Sequence, residues 1–146
     1  MRVWFFLFAS SLLLAAPPPP LTMESVRGES DPLRRFDRAL KLAEARLNDA
    51  WKLVREGGAR SSLEAAIGDV IGASELALES LRATGRRPGK LSRQYKRGEL
   101  RTRGFEKGLQ ELSLAVGFGE RERIERARQR LAAVHEQFLQ GVMTGR

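Results

Sequence analysis

The sequence holds one histidine, His135, and no cysteine. The missing thiol removes disulfides, thiolate metal sites, covalent c-type haem attachment, a cysteine nucleophile and N-terminal cysteine lipidation together. His135 is then the only imidazole available for acid–base work, metal ligation or haem. Helical spacing puts it beside Leu131 and Phe138, at the edge of an apolar stripe. There, a boundary histidine bonded to water or to a neighbouring side chain is the plain expectation. Glu120, Glu122 and Glu125 crowd the first turns of the same segment, where carboxylates complement the positive end of the helix dipole. No base or nucleophile accompanies them. No Gly-rich phosphate loop, Gly-x-Ser-x-Gly or His-Glu-x-x-His occurs. The reading is no catalytic residue, no metal site and no cofactor.

Charge is the other chemistry on offer. The 146 residues carry 26 Lys and Arg against 18 Asp and Glu, a formal +8. Between Arg82 and Lys107 stand ten cations and only two acids, Glu99 and Glu106, so this stretch alone carries +8. The remainder beyond residue 20 sums to −1. Arg86, Arg87, Lys90, Arg93, Lys96, Arg97, Arg101, Arg103 and Lys107 are the candidate anion-binding residues. On a helix, Arg93, Arg97 and Arg101 form one ridge and Lys96, Arg103 and Lys107 another. They crowd a helix N-terminal half, where the dipole repels cations, so stability alone would not choose them. Arginine's planar fork suits phosphate and carboxylate. The competing expectation is a solvated face neutralised in part by Glu75, Glu79 and Glu136 on neighbouring helices.

The elements that must position these groups are legible. Residues 1–16 begin Met-Arg and continue through Val3–Phe8 and Leu12–Leu14 to Ala15-Ala16. That is the length of a secretory signal's apolar region and short for a bilayer span. Pro17–Pro20 follow the small residues at once and hinder cleavage, so a retained anchor is the variant of this reading. A start at Met23 would instead give a cytosolic chain. Residues 17–30 read as an extended, unfolded Pro-rich and polar linker. Residues 31–146 read as four amphipathic helices. The first opens at Asp31-Pro32, stops at Gly57-Gly58 and carries Leu33, Phe36, Leu40, Ala43, Leu47, Ala50 and Val54 in one stripe. The second opens on a capping box, Ser61 to Glu64, and closes at Gly85. The third follows Arg86-Arg87-Pro88-Gly89 and runs to about Val116, with Leu91, Tyr95, Gly98, Thr102, Phe105, Leu109 and Leu112 inward. The fourth runs from near Gly119 to Gln140. Short connections predict an all-α, up-down-up-down antiparallel four-helix bundle, with two longer hairpins pairing with another copy as the alternative.

An exported helical bundle with one late histidine resembles, in architecture, the soluble four-helix cytochromes in which histidine and methionine ligate haem. The resemblance stops there. Leu33 and Phe36 stand where the first-helix methionine is needed, and Met23 and Met143 lie elsewhere. The predicted stripes contain no Asp, Glu or His, so the interior is expected to be packing alone. Gly68 and Gly72, and Gly104 and Gly108, are expected on outward faces.

These features predict an exported, non-enzymatic protein of the periplasm or cell envelope whose third helix docks on an anionic partner: phospholipid headgroups, a phosphorylated glycan or an acidic protein. A homo-oligomer fits the same pattern. The alternatives are a periplasmic chaperone or stress adaptor, a haem- or metal-binding bundle using His135, and a cytosolic nucleic-acid binder starting at Met23. The last lacks exposed aromatics on the basic face for stacking.

Overall fold

The computed structural model describes residues 20–145, so the apolar start and most of the proline run lie outside the described residues. The chain is all-helical there. Its five helices are α1 (Met23–Arg27), α2 (Pro32–Glu56), α3 (Arg60–Ala83), α4 (Ser92–Leu114) and α5 (Phe118–Thr144), with a 3₁₀ turn at Pro88–Leu91 before α4.

Local signals set most boundaries. Asp31 accepts hydrogen bonds from the N–H groups of Leu33 (2.9 Å) and Arg34 (3.3 Å), and Pro32 occupies the first helical position. At the other end Gly57 adopts φ 66°, open to glycine at no steric cost, and the Gly58 N–H closes back on the Leu53 carbonyl at 2.8 Å. Two expectations need correction. The capping box at Ser61 does not form: α3 starts at Arg60 with Ala59 as its uncapped N-terminal residue. Glu64 instead meets the Arg60 and Arg123 guanidinia. The segment expected to be an unfolded linker contains α1. Thr22 and Ser25 cap it reciprocally, and Val26 is fully buried in the same core as α2 and α3. Arg38 holds the chain after it through Ser25 Oγ (3.3 Å) and Glu29 (3.5 Å).

The four long helices form two antiparallel hairpins. In one, Arg35 of α2 donates to Ser80 of α3 (2.9 Å) and Arg46 pairs with Asp69 (2.9 Å). In the other, Arg128 of α5 meets Glu106 of α4 (3.5 Å) and Arg121 donates to the Ser113 carbonyl (3.0 Å). Between hairpins the ion pairs join helices running in the same direction: Arg97 and Arg101 of α4 to Asp37 and Glu44 of α2, and Arg130 of α5 to Glu75 of α3. These pairs set α4 alongside α2 and α5 alongside α3.

The hairpins meet at Phe36, Tyr95 and Phe138, whose rings pack edge to face with centroids 6.2–6.4 Å apart. Two glycines let α4 and α5 approach each other here. A methyl on Gly98 would stand 2.4 Å from the Phe138 ring, and one on Gly141 would stand 2.1 Å from Tyr95. Gly108 corrects the sequence reading as well: its added methyl would lie 2.7 Å from Leu47, so it faces α2 rather than solvent. Gly68 and Gly104 do have open space.

Candidate functional site: the basic third long helix

The nine candidate cations fall on the turn after α3, the 3₁₀ turn and α4, and the structure divides them in two. Five have carboxylate partners. Arg97 lies 3.0 Å from Asp37, with its guanidinium also 5.9 Å over the Phe36 ring. Arg101 lies 2.7 Å from Glu44 and 5.7 Å over Phe105. Lys107 reaches Glu111 at 3.9 Å, and Lys96 and Arg103 both bond Glu99. The other four, Arg86, Arg87, Lys90 and Arg93, have no carboxylate within 4.0 Å among the described residues. The neutralising neighbours also differ from those expected. Glu75 is taken by Arg130 (3.1 Å), and Glu79 and Glu136 make no ion pair among the described residues. Asp37 and Glu44 serve instead, because α4 lies alongside α2.

Glu99 is the largest departure. It reads as a surface acid inside a basic run, yet its side chain is 1% exposed between α4 and α5. Burial by itself would raise its pKa. Hydrogen bonds from Arg103, His135 and Lys96 more than offset that and hold it at about 2. The interior is therefore not packing alone. A sequence signal existed: Glu99 stands four residues after Tyr95 and three before Thr102, both buried, so it shares their face.

His135 lies in the same network. Its Nε2 is 3.3 Å from Glu99 Oε1 and its Nδ1 is 3.6 Å from Glu106 Oε2. Glu106 continues to Arg128, which bonds Glu125 at 2.9 Å and holds that carboxyl below its usual range. The two carboxylates address different nitrogens of one ring, so they brace the imidazole instead of converging with it on a point. Among the described residues no cluster of three His, Asp or Glu side chains is arranged to hold a metal ion. Glu120 and Glu122 are likewise paired, with Arg60 (3.3 Å) and Arg126 (2.7 Å).

An apolar groove of about 250 Å³ runs between α3 and α5, floored by Leu63, Ile67, Ile71, Ile124 and Ala127. Its rim alternates arginine and glutamate, and its floor offers no acid, base or nucleophile.

The basic region is thus one braced flank on α4 and one unbraced end at the α3–α4 connection. Set against known proteins, the chain matches no family model, no curated protein and no solved structure, so the functional reading rests on its own residues.

Proposed function

We propose that this chain is an exported, non-enzymatic four-helix bundle, with α2–α5 running up-down-up-down behind an N-terminal signal or anchor segment. It binds an anionic partner of the cell envelope through the α3–α4 connection and the start of its basic third long helix. The observation that carries the reading is the mismatch between cations and carboxylates on one stretch of chain. Residues 82–107 hold ten cations, and the partners within reach of α4 leave Arg86, Arg87, Lys90 and Arg93 unmatched among the described residues. An unneutralised cluster projects a positive field that steers anions and is screened over about 10 Å at 0.1 M salt. Nucleic acid ranks lower as a partner because Tyr95 and Phe105, the aromatic residues of α4, are buried and give bases nothing to stack on.

The test has two parts. Mass determination of the mature N-terminus decides export: loss of residues near Ala16, or recovery of the chain in an envelope fraction, supports it, and a cytosolic chain starting at Met23 overturns it. Pull-down from envelope extract then compares wild type with Arg86→Glu/Arg87→Glu/Lys90→Glu/Arg93→Glu. Partners held by wild type in low salt and lost by the variant support the binding reading. Equal recovery by both shows that the cations only dress the surface.

A further inference from the structure

The unmatched cations lie at one end of the molecule, and their surroundings narrow the partner. We propose that this end docks on an anionic phospholipid membrane surface, a proposal that rests on the anionic-partner reading and specifies it. Arg86 and Arg87 stand on the turn after α3, Lys90 on the 3₁₀ turn, and Arg93 in the first turn of α4; all four are exposed. The finish of α5 closes the same end, with the Gly145 carbonyl oxygen 3.4 Å from where a Gly89 side chain would begin. Two residues earlier Met143, in the last turn of α5, is 63% exposed.

Two helix starts and two helix finishes share this end. Their dipoles oppose one another, so side-chain charge sets the field. The small hollow beside Arg93, lined by Leu33, Asp37, Gln94 and Arg97, holds only about 60 Å³. Asp37 in its lining already pairs with Arg97 at 3.0 Å, which takes up one of the two cations there. A single phosphate is therefore not enclosed. A bilayer needs no pocket: it offers many anionic headgroups in a plane, each basic residue near it contributing about fivefold in affinity, and an exposed methionine enters the headgroup boundary. The exposed aromatic ring, Phe118 (85% exposed), lies at the opposite end, where α5 begins.

The experiment is co-sedimentation of the full chain with vesicles of phosphatidylglycerol and phosphatidylcholine, and with pure phosphatidylcholine. The apolar N-terminal segment is common to every variant, so pure phosphatidylcholine measures its share. Expected is preferential binding to the anionic vesicles in low salt, released by about 0.5 M salt. The quadruple reversal Arg86→Glu/Arg87→Glu/Lys90→Glu/Arg93→Glu lowers the anionic preference by about 100-fold or more. Arg97→Gln/Arg101→Gln/Lys107→Gln, on the braced flank, changes it less than about twofold, with circular dichroism confirming that both variants fold. Equal losses in the two variants, or no preference for the anionic vesicles, overturn the proposal. A polyphosphate probe separates the two readings. If it distinguishes wild type from the quadruple variant while vesicles do not, the anionic-partner reading stands and the membrane proposal fails; if neither distinguishes them, both fail.

Discussion

The flank of α4 and the turn before it are built from the same two residue types and lie a few helical turns apart, yet they are physically unlike. On the flank, Lys96 and Arg103 converge on a carboxylate removed from water, while Arg97 and Arg101 reach across to α2 and lie over aromatic rings. At the end, Arg86, Arg87, Lys90 and Arg93 are exposed and have no carboxylate within 4.0 Å among the described residues. A count of positive charge treats both regions alike. A charge already satisfied by a fixed neighbour has little left for a partner, because a newcomer must first displace that neighbour; the flank holds the fold, and the end holds the field.

The sharpest way to break this contrast is Glu99→Gln. Removing the buried carboxylate strips Lys96, Arg103 and His135 of their common acceptor, and loss of one member of a buried ionic network destabilises by about 3 kcal/mol or more. Urea unfolding should show the drop, and an unchanged midpoint would mean that Glu99 is not the keystone of the flank. Acid supplies the same test without a mutation. Glu99 is held at about 2 against an ordinary 4.5, so its folded pKa is depressed. Its contribution, about 3 kcal/mol, is fully present above about pH 4.5 and is lost as the pH falls towards 2. The same titration in Glu99→Gln should lose that component of the acid slope.

A somewhat smaller effect is expected from Gly98→Ala. The added methyl meets the Phe138 ring, so α4 must move off α5 or the ring must leave its rotamer, at about 2 kcal/mol. Because Gly98 adjoins Glu99, the same displacement should loosen the His135 contact, visible as a change in the histidine ring resonances. Smallest of all is the quadruple substitution at the cationic end, expected to leave stability within about 0.5 kcal/mol of wild type. A large loss there would erase the distinction between the two regions.

Much of the fold was readable in one dimension. The Asp31-Pro32 start, the Gly57 and Gly85 stops and the apolar residues of α2 follow from hydrogen bonds and spacings within one or two turns, which a sequence displays directly. The misses are equally specific. α1 escaped because its capping box uses Ser25 where glutamate or glutamine is usual, and because Val26 is buried only once α2 and α3 stand beside it. Glu99 escaped because the stripe on α4 was drawn too narrow. A core-facing helix buries three to four positions in two turns, and Gly98 lets α5 come close enough to cover the next one.

Residue types and short-range spacing establish where the chain turns helical, which stripes are apolar, and that an excess of cations gathers between Arg82 and Lys107. Packing then selects which of those cations meet Asp37, Glu44, Glu99 and Glu111 and which are left over. Helix spacing fixes neighbours within a turn, whereas an ion pair between α4 and α2 depends on which helices lie side by side and in what direction, and that is settled by packing residues far apart in the chain.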